Sequence, residues 1–450
     1  MNLSHLRTYA VKMLLVFIIT AGFLACKKHD PKPGGNDPSN PNSSLTVTSL
    51  SVNSGPYNTA VVITGTGFDA VAANDKVYFN GKLATISTAT KNTITAVVPK
   101  GAGTGNVSVS VSSVNNGISV NGPVFNYTYI LTVSTIAGNG RQGYFEGQGT
   151  TAEFDRPWGI CTDAAGNVYV ADYGNYVIRK IDATGNVTVF AGKPLAYGWQ
   201  DGQGTAQETA ATFEGPSFIK TDSHGNFFVT DGSTLVRKIT PQGVVTTFAG
   251  NQNGFNFFPS LSYPHGIAID SAGSVYVAEE NLRKITTAGV ATRYAGRYYI
   301  GNEEGYGPDA AFGAAEGLVF DARGNLYMAD SYYSVIRKIS PADTMSTVAG
   351  TGSFGSNNGL GKAASFRGPS GLAIDKAGNI YIADAGNNQI RKMTPDGMVS
   401  TFAGSGAQGN ADGPASSATF FTPIDLTVDA KGNVYVTDRG NNLIRKISME

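Results

Sequence analysis

The sequence contains few residues of the types that carry redox or metal chemistry. Among 450 residues it has 2 cysteines and 4 histidines. Cys26 has a separate expected role, given below, which leaves Cys161 without a partner and excludes a disulfide framework. Because a catalytic zinc ion normally needs three protein ligands, the scarcity of histidine also excludes a histidine-rich zinc centre.

The sequence also lacks an excess of either charge. It has 33 basic and 33 acidic residues. Residues 1–25 contain two of the basic residues and no acid, so removing them leaves 33 − 2 = 31 basic residues against 33 acidic ones. Nucleic-acid binding calls for a basic face, and the balance of charge therefore excludes nucleic acid as a partner.

One long apolar run is present, from Met13 to Ala25, and it is too short to span a bilayer comfortably. Arg7 and Lys12 precede it and small residues end it, which predicts a secretory signal peptide over residues 1–25. Its end, Phe-Leu-Ala-Cys at 23–26, resembles a bacterial lipobox. The resemblance implies lipidation of Cys26 and membrane contact through the lipid anchor alone.

The residues after Cys26 carry no apolar side chain larger than proline up to position 44. Residues 26–44 are therefore expected to form a lipidated cysteine and a flexible tether. The expected location is the cell envelope, lipid-anchored in the outer membrane, with exposure at the cell surface left open.

The remainder is rich in β-formers and glycine, with 57 glycines and 10% aromatic residues. Residues 45–130 show short alternating strands punctuated by proline and glycine, which predicts an immunoglobulin-like β-sandwich. Segments such as SGPYNTAVVITGTGF and ITAVVPKGAGTGNVSVSV resemble the IPT/TIG family, whose domains often serve as spacers in bacterial surface proteins.

Residues 131–450 contain one segment six times. The copies are GNVYVAD at Gly166, GNFFVTD at Gly225, GSVYVAE at Gly273, GNLYMAD at Gly324, GNIYIAD at Gly378 and GNVYVTD at Gly432. The copies are 59, 48, 51, 54 and 54 residues apart. Each repeat unit has four predicted strands and no helical stretch, which predicts a β-propeller.

The two ends of the repeat array indicate a closed ring. The sixth copy lacks its fourth strand, and an unattached strand, Val133 to Gly138, precedes the first copy. We expect this strand to pair beside Leu443 to Ser448 and to close a six-bladed propeller, leaving few exposed edges. Stretches such as VYVADYGNYVIRKID and VYVTDRGNNLIRKIS resemble NHL repeats. The third copy has lost three residues after Glu279, which predicts a clipped turn.

An arginine and an acid recur in every copy. The arginines are Arg179, Arg237, Arg283, Arg337, Arg391 and Arg445, and the acids are Asp172, Asp231, Glu279, Asp330, Asp384 and Asp438. We expect each acid to accept hydrogen bonds in a turn and to lie near its arginine. A second recurrent aspartate, exemplified by Asp163, is expected to stabilise a hairpin turn.

Function is expected where the copies differ, at the mouth of the central channel. The entries of the innermost strands place Trp158, Ser217, His265, Glu316, Ser370 and Ile424 at one variable position, with Asp425 next to the last. His265 and Glu316 are weak candidates for a metal site. A divalent cation in the channel, calcium held by Glu316 and Asp425 or zinc, stays open as an alternative to a purely structural histidine.

Glycine-rich inserts between the copies supply a second candidate surface. They carry the aromatic residues Tyr144, Phe145, Tyr197, Trp199, Phe255, Tyr298, Tyr299 and Tyr306. Aromatic rings beside polar side chains are typical of carbohydrate recognition, and packing of the loops against the blades is the alternative. The ligand-binding set predicted from both surfaces is Trp158, Trp199, Tyr197, Tyr144, Tyr299, His265, Glu316 and Asp425.

Two classes of function follow. The first is a monomeric envelope lipoprotein that binds a glycan or a surface protein through the loop face of the propeller. The second is implied by the resemblance to NHL-like propellers, some of which are metal-dependent hydrolases or lyases of the lactonase kind. His265 and Glu316 alone match such a metal set, and no nucleophile elbow is present.

Overall fold

The computed structural model describes residues 44–112, 117, 119–203, 210–251 and 261–450. The predicted lipidation site Cys26, the signal peptide and the tether up to residue 43 lie outside these residues. Within the described part of the chain, no helix has both the length and the apolar character needed to cross a bilayer.

The first β-structure is a two-sheet sandwich. One sheet contains, in spatial order, Thr46–Leu50, Ala60–Thr66, Thr93–Val97 and Thr85–Ala89. The other contains Ser54–Gly55, Val120–Tyr127, Gly105–Val111, Asp75–Phe79 and Lys82–Leu83. A short 3₁₀ helix, Ala72–Asn74, precedes Asp75. Alternating side chains of both sheets, among them Val61, Ile63 and Phe125, form its core, as the immunoglobulin-like prediction requires.

The remaining described residues form six sheets, which we call blades 1 to 6 in the order of their repeats. Each has four antiparallel strands, given from the innermost outward: blade 1, Pro157–Thr162, Val168–Asp172, Val177–Ile181, Asn186–Ala191; blade 2, Pro216–Thr221, Phe227–Asp231, Leu235–Ile239, Val245–Gly250; blade 3, Ile267–Ile269, Val275–Ala278, Leu282–Ile285, Ala291–Ala295; blade 4, Ala315–Phe320, Leu326–Asp330, Val335–Ile339, Thr344–Ala349; blade 5, Pro369–Ile374, Ile380–Asp384, Gln389–Met393, Met398–Ala403; blade 6, Pro423–Val428, Val434–Asp438, Leu443–Met449, Leu131–Ala137.

Short elements complete the blades. Four blades gain a two-residue outer strand from their insert: Gly147–Gln148, Gly305–Tyr306, Gly359–Leu360 and Gly413–Pro414. Six 3₁₀ turns lie in the inserts and in the turns after the second strands: Gly149–Thr151, Tyr173–Asn175, Gly307–Asp309, Gly361–Ala363, Ala385–Asn387 and Arg439–Asn441.

The ring is closed by its first strand, as predicted. Leu131–Ala137 pairs antiparallel with Leu443–Met449, from Leu131 opposite Met449 to Ala137 opposite Ile444. Val133 is 2% exposed and packs in the cluster that joins blades 5 and 6. The innermost strands of blades 1 and 6 contact each other, as do those of every other neighbouring pair of blades. The all-β prediction of a sandwich followed by a propeller is confirmed.

The recurrent turn aspartates behave as expected. Asp163 accepts hydrogen bonds from the backbone N–H of Asn167 at 2.9 Å, from its side-chain amide at 2.7 Å and from the hydroxyl of Tyr169 at 3.1 Å. Burial opposes ionisation of Asp163, but these hydrogen bonds together outweigh it and lower the pKa of Asp163. The carboxylate therefore stabilises the hairpin that joins the first two strands of the blade.

The recurrent acid and arginine pairs are buried, which confirms the structural role predicted for them. In five blades the shortest distance between the carboxylate and its arginine is 2.8 to 3.1 Å. Arg179 also donates to the backbone carbonyl oxygens of Glu153 and Phe145, and Arg391 does the same to Ser365 and Asn357. The pairs therefore pin the insert loops to the blades.

Blade 3 departs from this pattern, as its shortened sequence predicts. Only three residues, Glu279 to Asn281, connect its second and third strands. The Glu279 carboxylate is 3.6 Å from the Nε of Arg283, and its Oε1 accepts no hydrogen bond from the described residues. Burial raises the pKa of Glu279 to about 7, outweighing the hydrogen bond from the backbone of Ser262 and the charge of Arg283.

Candidate functional site

The variable entry positions stand on β-bulges. In five blades the register between the first two strands shifts at these positions, for example between Pro157 and Ile160 and between Pro369 and Leu372. A bulge bends the strand and re-aims a side chain, and bulges are frequent beside binding sites. The bulges therefore change the direction of these entry strands at the position where the copies differ most.

Glycine follows the variable residue in four blades because the innermost strands approach closely there. A Cβ at Gly266 would lie 1.5 Å from the carbonyl oxygen of Glu316, and one at Gly317 would lie 2.5 Å from that of Ser370. Blades 2 and 6 instead carry Phe218 and Asp425, both fully buried. The axis beside these blades is therefore filled with side chains rather than open.

The prediction that Asp425 binds ligand at the mouth is not supported by its position. Its carboxylate is fully buried, accepts a hydrogen bond from the backbone N–H of Ile160 at 3.0 Å and pairs with Lys220 at 3.2 Å. Burial raises the pKa of Asp425, and the charge of Lys220 opposes that rise. Asp425 therefore links blades 6, 1 and 2 inside the ring, because its carboxylate pairs with a partly buried amine and accepts a hydrogen bond from a buried backbone amide.

A cleft of 400 Å³ lies at the mouth on the side of blades 1 to 3, and we call it the channel-mouth cleft. Its lining combines five aromatic rings with charged and hydroxyl groups. The lining residues are Arg156, Trp158, Tyr173, Tyr176, Tyr197, Glu214, Gly215, Ser217, Gly232, Ser233, Tyr263, Pro264 and His265.

Trp158 forms one wall of this cleft. Its ring lies 5.4 Å from that of Tyr173, and the guanidinium of Arg439 is 4.5 Å from the ring centroid. The same side chain packs against the buried cluster that contains Phe218 and Ile424. Trp158 thus lies between the cleft and the packed axis, and its contacts with Tyr173, with Arg439 and with the buried cluster fix its position.

The insert that precedes the first strand of blade 2 contributes Tyr197 and Trp199. Tyr197 is 56% exposed, and its hydroxyl donates to Glu214 at 2.8 Å. The ring of Trp199, 40% exposed, stands edge-on to it with centroids 6.4 Å apart. Tyr197 therefore lines the channel-mouth cleft, whereas Trp199 contacts Tyr197 but is not among the residues that line either cleft.

A second cleft of 350 Å³ adjoins the first between blades 3 and 4, and we call it the blade 3–4 cleft. Tyr263 and His265 contribute to both clefts. The lining of the second cleft is Ser262, Tyr263, His265, Glu279, Glu280, Tyr298, Tyr299, Ile300, Gly313, Ala314, Ala315 and Glu316. It therefore brings together the predicted residues His265, Glu316 and Tyr299.

His265 and Glu316 form a pair across these blades. The Nδ1 of His265 is 3.5 Å from the Oε2 of Glu316, and their side chains are 42% and 21% exposed. The Glu316 carboxylate raises the pKa of His265, and partial burial opposes that rise. The sequence left open a calcium site held by Glu316 and Asp425. Asp425 pairs with Lys220 instead, so this site would lack one of its two carboxylates. Across the described ranges, no three His, Cys, Asp or Glu side chains form a group that could hold a metal ion.

The other predicted residues lie apart from the two clefts. Tyr144 packs over the guanidinium of Arg179, 5.0 Å from the ring centroid, and so follows the packing alternative. Phe145 and Tyr306 are exposed in other inserts and line neither cleft. Phe255 lies outside the described residues.

Several lining residues were not predicted. Tyr173 and Tyr176 follow the second strand of blade 1, where blades 5 and 6 have Ala385, Asn388 and Arg439, Asn442. The same comparison of copies that found the entry residues would have found this turn, since it also varies. Glu214 lies two residues before Pro216 and Tyr263 lies one residue before Pro264, so they align with Asp155 and Arg156 before Pro157 of blade 1. These positions also vary between the copies, and the same comparison would have found them.

Family models match both β-regions. The IPT/TIG domain model matches residues 45–127, and the NHL repeat model matches residues 154–181, 366–393 and 422–447. The first match covers the sandwich, and the other three cover parts of blades 1, 5 and 6.

Curated relatives match part of the chain in sequence. The chain is 27% identical over 281 residues to protein SUPPRESSOR OF QUENCHING 1 of Arabidopsis thaliana, covering 57% of this chain and 26% of that protein. It is 28% identical over 333 residues to human NHL repeat-containing protein 2, covering 70% and 42%. The chain thus spans less than half of these relatives.

The solved structures cover nearly the whole chain. An auxiliary nutrient binding protein from Bacteroides ovatus has a TM-score of 0.69 at 19% identity and covers 92% of this chain and 100% of its own. A protein of unknown function from Bacteroides thetaiotaomicron has a TM-score of 0.59 at 23% identity and covers 91% and 99%.

Proposed function

We propose that this chain, which contains an IPT/TIG domain and NHL repeats, is a ligand-binding protein of the bacterial cell envelope with its site at the channel-mouth cleft. The ligand we propose is a carbohydrate. The sandwich is proposed to act as a spacer between the membrane and the propeller.

One observation carries the proposal. Five aromatic rings from three blades converge on a cleft of 400 Å³ that also exposes Arg156, Glu214 and Ser233. Aromatic faces cover the apolar side of a sugar ring, and charged or hydroxyl groups bind its hydroxyls. These rings come from positions that vary between copies, so the requirements of a repeating blade do not account for them.

The location is proposed from two supports. The sequence of residues 1–26 matches a lipoprotein signal, and lipidation of Cys26 would tether the chain to the outer membrane. The auxiliary nutrient binding protein of Bacteroides ovatus shares the fold of nearly the whole chain. Envelope anchoring would place a carbohydrate-binding face where extracellular glycans arrive.

The test is a glycan array followed by calorimetry with the strongest glycan. We expect Tyr197→Ala to weaken binding about tenfold or more, because an exposed ring stacked on a sugar contributes over 1 kcal/mol. Since Tyr197 is 56% exposed, its loss should leave the melting temperature nearly unchanged. Trp199→Ala and, in the second cleft, Tyr299→Ala are likewise expected to weaken binding and to leave the melting temperature nearly unchanged.

Tyr306→Ala is the matched control. Tyr306 is 58% exposed in the insert of blade 4 and lines neither cleft. Equal binding by this variant and by wild type would assign the effect to the channel mouth. Binding that survives Tyr197→Ala and Trp199→Ala unchanged, or the absence of any glycan ligand, would overturn the proposal.

A further inference from the structure

The blade 3–4 cleft differs in charge from the channel-mouth cleft. Its lining contains three carboxylates, those of Glu279, Glu280 and Glu316, and His265 is the basic residue among its lining residues. Within the described residues, Glu280 forms no ion pair and its side chain is exposed. The cavity therefore presents an excess of negative charge to a bound molecule.

Glu279 supplies a second and independent observation. Its side chain is 4% exposed and lines the cleft, yet its Oε1 accepts no hydrogen bond from the described residues. In the other blades the corresponding carboxylate lies within 3.1 Å of its arginine, whereas Arg283 is 3.6 Å away. A buried carboxylate oxygen without a donor is costly, and a bound donor would remove that cost.

The rim of the cleft is apolar and aromatic. Tyr298, Tyr299 and Ile300 are 60%, 50% and 62% exposed. Tyr298 and Tyr299 each already lie under a guanidinium, that of Arg293 at 5.1 Å and that of Arg297 at 5.7 Å from the ring centroids. The rings already hold these guanidiniums and also cover apolar surface, so the rim suits the short hydrocarbon or sugar ring that carries a cation rather than the cation itself.

We propose that the blade 3–4 cleft binds a primary ammonium group carried on a small apolar or sugar framework. The carboxylates of Glu280 and Glu316 receive the ammonium, and the tyrosine rim covers the framework. An amino sugar and a lysine side chain both offer this chemistry. For the amino sugar the inference rests on the carbohydrate function proposed above, and the cleft then sets the preference among sugars.

Calorimetry with two disaccharides tests the preference. The glucosamine disaccharide carries ammonium groups, and the N-acetylglucosamine disaccharide has the same rings with neutral amides. At low ionic strength we expect the first to bind roughly tenfold more tightly. Glu280→Gln combined with Glu316→Gln should abolish the difference, and Glu280→Gln alone should reduce it, which keeps the test valid if the double variant is unstable.

Glu304→Gln is the control for a general loss of charge. Glu304 is an exposed carboxylate of blade 4 that pairs with Lys362 and lines neither cleft. The preference for the ammonium probe should persist in this variant. Equal affinity for the two disaccharides in wild type, or a preference that survives Glu280→Gln with Glu316→Gln, would overturn the inference.

A second pair of probes separates this inference from the carbohydrate proposal. Cyclohexylamine and cyclohexanol share a ring and differ in the ammonium group, and an acetylated lysine amide represents a protein side chain. If neither disaccharide binds but cyclohexylamine binds about tenfold better than cyclohexanol, the ammonium site stands and the carbohydrate proposal fails. Tighter binding of the lysine amide than of the glucosamine disaccharide would identify a protein as the source. If cyclohexylamine and cyclohexanol also bind equally, the ammonium site fails.

Discussion

The pair of His265 and Glu316 is a group whose protonation can be followed directly. Glu316 raises the pKa of His265 above its ordinary value of 6.5. We expect Glu316→Gln to lower that pKa, because the attraction is lost while the desolvation that opposes it remains. Titration of the His265 ring protons by NMR in wild type and in Glu316→Gln measures the change.

The same pair has a defined effect on stability. A raised histidine pKa stabilises the folded state at pH values below 6.5 and loses that contribution as the pH rises through the folded pKa. Wild type should therefore exceed Glu316→Gln in melting temperature at acidic pH, and the difference should shrink toward alkaline pH. A difference that grows with pH would contradict the assignment.

The stability contributed by Glu279 should also fall as the pH rises, but because burial favours its neutral form. Its folded pKa of about 7 exceeds its ordinary value of 4.5, so the folded state binds the proton more tightly. The free energy of unfolding should fall by up to about 3 kcal/mol as the pH rises from about 4.5 to 7. Glu279→Gln should remove this slope in urea titrations at several pH values, and Glu280→Gln, which removes only the repulsion of an exposed neighbour, should reduce it slightly.

At the scale of the element, the acid and arginine pairs should dominate the stability of each blade. Asp384 accepts hydrogen bonds from Arg391, Asn387 and the backbone of Arg367. Asp384→Ala leaves Arg391 buried without its counter-charge, which should cost about 3 to 5 kcal/mol in urea unfolding. Lys362→Ala, which breaks an exposed pair with Glu304, should cost less than about 1 kcal/mol. Equal costs for the two variants would show that the buried pair has no special role.

The elements were predictable from the sequence because they recur. Each copy repeats its strands, its turn aspartate and its acid and arginine pair, so one physical role explains six positions. The residues of the site, by contrast, do not recur from copy to copy. Tyr197, Tyr263 and Trp158 come from inserts and entries of different blades, and their distances depend on how the ring closes. Asp425 was misplaced because its sequence position does not say whether the side chain turns to the mouth or to the axis.

At the scale of the whole molecule, ring closure by the first strand should govern cooperativity. Val133 is 2% exposed in the strand that completes blade 6. Val133→Asp buries an unpaired charge there and should lower the free energy of unfolding by several kcal/mol. Hydrogen exchange should accelerate first in the partner strand Leu443–Met449. Val290→Asp, at a residue that is 54% exposed in blade 3, is the control and should change neither measurement.

Side chains of blades 1, 2 and 6 fill the axis of the propeller beside those blades. Trp158, Phe218 and Ile424 lie in one apolar cluster, and Lys220 with Asp425 crosses beneath them. The channel-mouth cleft and the small cavity at the opposite end of the ring share no lining residue. If the channel-mouth cleft binds the proposed ligand, the ligand would therefore enter and leave by the loop face.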